Sequence, residues 1–423
     1  MTTTTVLSGQ KPRPLWLDRR FRTFWIGDTV SQFGDRISEL ALPYLAVTVL
    51  GVGATGTGVL TAAIWAPNLL AVFIGAWVDQ RHAKRRLMIA ADLLRALALL
   101  TIPAAYLAGV LTFAQLIVVA LLTGIGQVLF NMAYPTFYVS LVPPESYVDA
   151  NSKLSMSRGL SFVGGPAAGG WLIQLLTVPF AVVADALSFL FSAALIRRIK
   201  AQEPPAAERD ASTWRLALDG MKLIAAQPIL RASLGGTATV NFFTMIATAL
   251  LVLFASRDLG LSAGAIGLAF GIGATGALIG AGLAPAVSRL LGIGPTTILG
   301  AVLFPLPLAT AALATGTTMQ KVTLLAAMEF VSGAGVMLMD VNLNAILTQA
   351  TPEGARGRRA GAYSAVNYGV RPIGALVGGF TGTALGIRPS LIIAGVGGTL
   401  CAIWFLASPI RKLRTLAELE APA

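Results

Sequence analysis

The sequence predicts an all-α membrane protein of twelve transmembrane helices, arranged as two pseudo-symmetric bundles of six. Three observations lead there. Apolar residues make up 55% of the 423 positions and charged residues only 12%, about half the charged share of a soluble domain. Apolar stretches near the ~20 residues needed to cross a bilayer recur along the whole chain. The basic residues fall almost entirely in alternate loops.

In chain order the spans read as 23–49, 57–79, 87–108, 113–137, 155–176, 179–196, 232–255, 264–288, 295–314, 322–348, 360–384 and 389–409. Pro179 and the Arg388-Pro389 step mark the turns within the two tightest pairs, five with six and eleven with twelve. Residues 1–22 form an N-terminal segment. Its start is polar and lacks the apolar core of a cleavable signal peptide, so the first span is expected to act as its own insertion signal. Residues 23–196 form the first bundle, 197–231 a linker, 232–409 the second bundle and 410–423 a tail. The linker carries Glu203-Pro204-Pro205, many charges and an amphipathic run from Trp214 to Leu223.

The net charge of +12 does not point to nucleic acid, because the charges sit in short loops between apolar spans. Basic residues cluster in 11–22, 81–86, 153–158, 197–231, 356–359 and 411–414, together with Arg289. The other set of loops holds only Arg257, Lys321 and Arg388. The positive-inside rule therefore predicts an even number of spans, both termini cytoplasmic, in a bacterial-type inner membrane. One cysteine, Cys401, and one histidine, His82, leave no internal disulfide, and neither a metal site nor a cofactor is expected. No Gly-Lys pair exists to seed a nucleotide-binding loop. An ATP-driven pump and a membrane enzyme are both disfavoured.

The halves resemble each other. Pro144-Glu145 precedes a span carrying Gly165, Pro166, Gly169 and Gly170; Pro352-Glu353 precedes one carrying Arg371-Pro372 and Gly378-Gly379. Gly58 and Gly75 of the second span are matched by Gly267 and Gly282 of the eighth. Repeats of six helices are a transporter architecture with the binding site near the midplane between halves.

Gly75-Ala76-Trp77-Val78-Asp79-Gln80-Arg81, followed by Lys84-Arg85-Arg86, resembles the signature loop between helices 2 and 3 of the major facilitator superfamily. Gln80 and His82 replace the usual Arg and Gly. Gly165-Pro166 and Gly169-Gly170 resemble the second half of a helix 5 motif associated with exporters, with Ser152 and Ser161 where its first half has Gly. The segments Gly34-Asp35-Arg36, Asp92-Leu93-Leu94-Arg95 and Ala184-Asp185-Ala186-Leu187-Ser188-Phe189 resemble the macrolide-efflux and enterobactin-exporter branch. The resemblance implies a gate at Gly75, Asp79, Arg81 and Arg85 that latches the halves shut on the cytoplasmic side. It also implies that helices 1, 4, 7 and 10 line a central cavity.

Those four spans carry polar stripes at offsets that place them on one helical face. They are Asp28, Gln32, Asp35 and Glu39 in the first; Thr123, Gln127, Asn131 and Tyr134 in the fourth; Thr237, Asn241, Thr244 and Thr248 in the seventh; and Glu329, Gly333, Val336 and Asp340 in the tenth. A charge at the bilayer centre costs ~2.5–3.5 kcal/mol, so the acids need a reason. Asp35 and Glu39, one turn apart, repel when both are charged, which suits uptake and release of a proton. Glu329 and Asp340 are the second candidates for coupling. The bland reading of Asp35 is a structural pair with Arg36 or a distant arginine, and that of Asp340 a pair with a base near the cytoplasmic side. Arg36 is expected to face elsewhere and Asp28 to be interfacial. Asp92 and Arg95 are expected to pair across one turn. Gln32, Gln127, Asn131, Asn241, Thr244 and Arg371 are candidates for contact with a small-molecule substrate.

The expected function is proton-coupled export of an amphipathic small molecule (a drug, siderophore or secreted metabolite) by alternating access, with protons and the lipid bilayer as partners and the monomer as the working unit. Uptake or lipid movement by the same fold, and a non-transporting receptor or scaffold, are the alternatives.

Overall fold

The computed structural model describes residues 15–200 and 213–419. The terminal segments and the linker's Pro204-Pro205 and Arg209 lie outside the described residues. Twelve long helices run through the described residues: α1 (Arg19–Thr48), α2 (Ala54–Asp79), α3 (Lys84–Leu107), α4 (Phe113–Leu141), α5 (Tyr147–Leu176), α6 (Val178–Arg198), α7 (Pro228–Asp258), α8 (Ala263–Leu291), α9 (Ile293–Leu313), α10 (Thr318–Ala350), α11 (Arg356–Ala384) and α12 (Ile387–Leu406). The all-helical class is borne out. Nine of the twelve are long and apolar enough to cross a bilayer. The other three are more polar: α1 and α5 carry acids, bases and hydroxyls, and α11 bases and hydroxyls, that the rest of the bundle must shelter. A further helix, Thr213–Ala226, lies in the linker and packs against α11.

Local chemistry sets the helix ends. Asp18 accepts from the Arg20 and Phe21 amides and starts α1. Thr112 and Ser262 cap α4 and α8. Thr317 and Gln320 form a reciprocal capping box on α10. The three cations of the less basic face are bound by backbone: Arg257 donates to the Val52 carbonyl, Lys321 to Leu259 and Arg388 to Ala312 and Ala314. Cations on carbonyls at or just beyond helix C-terminal ends complement the dipole, so these residues close turns as well as marking a side. Thr177, at φ +65°, makes the tight turn between α5 and α6.

Glycines show where the two halves touch. A Cβ on Gly58 of α2 would stand 2.7 Å from the Ala375 carbonyl oxygen and the Gly379 Cα of α11. A Cβ on Gly170 of α5 would stand 3.1 Å from the Gly267 Cα of α8. Both contacts lie toward the less basic face and are related by the pseudo-symmetry. Toward the basic face the backbones part. Gly159 and Gly369 meet only leucine side chains across the interface, and Gly282, Gly357 and Gly361 meet nothing within 4 Å. Among the described residues, the glycines in close backbone contact with the other half lie in the less basic part of the bundle, and the packing loosens toward the basic end.

Candidate functional site

In the first half the polar residues converge on Arg95 of α3, which is 2% exposed. Its Nη2 donates to Asp92 Oδ1 at 2.5 Å and its Nη1 to Gln127 Oε1 of α4 at 2.6 Å. The same Nη1 stands 3.5 Å from Asp35 Oδ1 of α1. The guanidinium lies over the Phe189 ring at 3.9 Å. Gly126 makes room for it, since a Cβ there would stand 3.1 Å from the Arg95 Cδ. Asp92 is fully buried, whereas the Asp35 side chain is 29% exposed. Of the two acids on Arg95, only Asp35 reaches open space. Gln127 in turn donates to Asn131 at 3.4 Å.

The expected Asp92–Arg95 contact is present. Two other sequence-based expectations are corrected. Arg36 does not face away from the stripe: it pairs with Glu39 at 2.6 Å, and Gly165 of α5 packs on its stem. Asp28 is not interfacial. It is 5% exposed and accepts from Gln32 at 2.5 Å, because α1 begins at Arg19, four residues before the predicted start. Asp185 of α6, 1% exposed, takes hydrogen bonds from Ser38 and Ser188 and forms no ion pair with any described residue.

In the second half, α9 breaks where Pro305 and Pro307 interrupt it, and Ser332 of α10 donates to the freed Phe304 carbonyl at 2.7 Å. Beside the break lies a cavity of about 200 Å³ lined by residues of α7, α9, α10 and α11, among them Asn241, Thr244, Glu329 and Arg371. Arg371 Nε donates to Asn241 Oδ1 at 3.1 Å. Its guanidinium lies 4.3 Å from the Trp65 ring of α2 and 4.9 Å from Tyr368. Glu329 forms no hydrogen bond or ion pair with any described residue. Asp340 lies outside the cavity's lining and within the field of Arg371, with no ion pair of its own among the described residues.

At the basic end Asp79 is exposed and has no partner among the described residues. Arg81 lies over Trp77 at 4.6 Å, and Arg85 donates to the Ile199 carbonyl. Gly75 faces Met132 of its own half. Among the described residues, Asp79 thus forms no ion pair with Arg81, Arg85 or a base of α11 in this conformation. In α5, Gly165 and Gly169 pack on α1, while Pro166 and Gly170 pack on α8.

Sequence reasoning missed Arg95 as the hub, the meeting of Glu329 with Arg371 in one cavity, and Trp65. A buried arginine three residues from a buried acid was the one available signal for the first. The others depend on which helices meet.

None of the curated proteins matches the chain in sequence. Solved structures match in fold across nearly the whole chain. A bacterial homologue of the iron transporter ferroportin in an inward-facing state aligns with a TM-score of 0.75 at 18% identity, over 92% of this chain and 98% of that one. A POT family transporter aligns at 0.73 and 12%, over 94% and 97%. A D-xylose–proton symporter aligns at 0.67 and 15%, over 91% and 97%. At these identities the likeness establishes the fold alone. The family profile described as "Transmembrane secretion effector" matches residues 14–421, and the chain belongs to that family of major facilitator superfamily transporters.

Proposed function

We propose that the protein is a proton-coupled exporter of amphipathic small molecules, working by alternating access from the cytoplasmic membrane with both termini inside. The observation that carries the coupling is the arrangement at Arg95. Asp92 holds the guanidinium from the buried side, and Asp35 faces it at 3.5 Å from the open side. A proton on Asp35 cancels its attraction for Arg95 without unpairing the arginine, which Asp92 and Gln127 still hold. Rearrangement of α1 against α3 then changes with protonation, and that is what coupling requires. The family's description as a secretion effector supports the outward direction. The basic loops support the orientation, and the cleft then faces the cytoplasm.

The test is flux in proteoliposomes at several pH values. Asp35→Asn keeps the shape and removes the titration, so uphill export should fail while downhill exchange and substrate binding survive. Glu39→Gln should be milder, because Glu39 pairs with its neighbour Arg36 at a more exposed site. Uphill transport at the wild-type rate by both variants, singly and together, would remove coupling from α1. For orientation, cysteines at Gly53, Gly109 and Thr317 should label from outside intact cells, and one at Arg209 should not.

A further inference from the structure

We infer that the second-half cavity is the head-group site for a zwitterionic substrate, one that carries an anionic and a cationic group next to an apolar body. The inference rests on the transport reading above and names its substrate class. Two opposite charges line this cavity, Glu329 from α10 and Arg371 from α11, and they form no ion pair with each other. Membrane-buried charges are retained where they meet a partner. Here neither has a charged protein partner within ion-pair distance among the described residues, although both line one cavity.

The geometry of Arg371 selects what it binds. Its Nε is taken by Asn241, and its guanidinium lies against Trp65 and Tyr368, whose rings stack on each other with centroids 6.2 Å apart. Aromatic contact of this kind fixes a guanidinium in place. Its two terminal nitrogens donate to no described residue, which leaves the edge that binds a carboxylate or other oxyanion through two parallel hydrogen bonds. The Glu329 carboxylate has no hydrogen bond among the described residues and is open to an ammonium, and its Cβ packs against Gly273. Phe304 and Leu308, at the break in α9, supply apolar wall. Sites for drug-sized ligands are about 300–1,000 Å³. A cavity of about 200 Å³ takes the charged head and leaves the tail to the cleft, which Trp65 of the other half borders. The cavity's lining belongs to the second half, and Arg371 ties it to the first half through Trp65, a coupling that alternating access between halves needs.

Four ligands of one shape separate the charges: L-tryptophan, L-tryptophanamide, N-acetyl-L-tryptophan and N-acetyl-L-tryptophanamide. Equilibrium binding of each is measured on the full-length protein in detergent, with no proton gradient. The zwitterion should bind at least tenfold tighter than either single-charge analogue, and the neutral one weakest. Glu329→Gln should erase the advantage of the zwitterion over the N-acetyl anion while leaving the anion's affinity unchanged. Arg371→Lys keeps the charge and the aromatic contact but loses the fork, and should weaken both carboxylates several-fold without affecting tryptophanamide. Equal binding of the neutral ligand, an unchanged charge preference in both variants, or no binding of any of the four at millimolar concentration would overturn the assignment. A protein that binds with this preference but shows no proton-driven flux would overturn the coupling reading alone.

Discussion

Arg95 illustrates how a residue can be structural and functional at once, and how the two roles separate. Asp92 is fully buried and Arg95 nearly so. Removing one member of such a pair leaves an uncompensated charge and costs about 3–5 kcal/mol, whereas replacing both with apolar residues is often neutral. Arg95→Met alone should therefore reduce folded yield and lower the unfolding temperature of the purified protein. Arg95→Met combined with Asp92→Leu should recover the yield but not uphill transport, because Asp35 then has nothing to respond to. Recovery of both would reduce the cluster to packing. Asp35 was legible in the sequence because a helical face is a local pattern: Asp28, Gln32, Asp35 and Glu39 fall on it by spacing alone. Its partner was not, since 60 residues separate Asp35 from Arg95 and no periodicity reports which helices touch. Arg36 was misplaced for a related reason. The ~100° between adjacent residues turns it away from Asp35, but Glu39 lies three residues on, within reach on the helix surface.

At the scale of the element, small residues let helices from opposite halves meet backbone to backbone. Gly170 on α5 and Gly58 on α2 do this near the less basic face. Side chains added there clash only while that face is closed. Gly170→Val forces its new atoms onto the Ala263 carbonyl of α8, and overpacking of this kind costs about 1–3 kcal/mol. The cost falls on the conformation described here and not on one with that face parted, so the population should shift about 5–150-fold toward the parted form. Thr55 of α2 and Thr383 of α11 report the shift, since their hydroxyls are 2.7 Å apart across the same face. In a Cys401→Ser background, Thr55→Cys with Thr383→Cys should crosslink readily, and adding Gly170→Val should reduce the yield. Unchanged crosslinking would mean that α5 and α8 are not part of the seal. The six-helix repeat was readable from Gly58 and Gly267 because both contacts need glycine. The break in α9 beside the cavity could be suspected from Pro305 and Pro307, but nothing local shows that Glu329 and Arg371 would line one cavity.

For the whole molecule, the two ends of the bundle must take turns. The less basic end is shut by backbone packing, and the basic end is open, with Asp79 exposed and unpartnered among the described residues. An acid at the C-terminal end of α2 opposes the helix dipole by about 0.3–1 kcal/mol. On the latch reading proposed for this loop, closure of the basic end would bring it to the N-terminal end of α11, which begins at Arg356, and would supply that compensation. On the proposed latch role, Asp79 would stabilise the form with the basic end closed, and in the form seen here it has no ion-pair partner among the described residues. Asp79→Asn should leave the Thr55–Thr383 crosslink of the otherwise wild-type protein complete, because the closed outer face does not depend on Asp79. In the Gly170→Val background, which favours the outward-open form, the same substitution should raise the crosslink again by a few-fold. It removes the interaction that held the opposite end shut, and the two perturbations then offset each other through one equilibrium. If Asp79→Asn has no effect in either background while the basic loop still sets topology, Asp79 acts only in topology, and closure of the basic end must be held by other contacts.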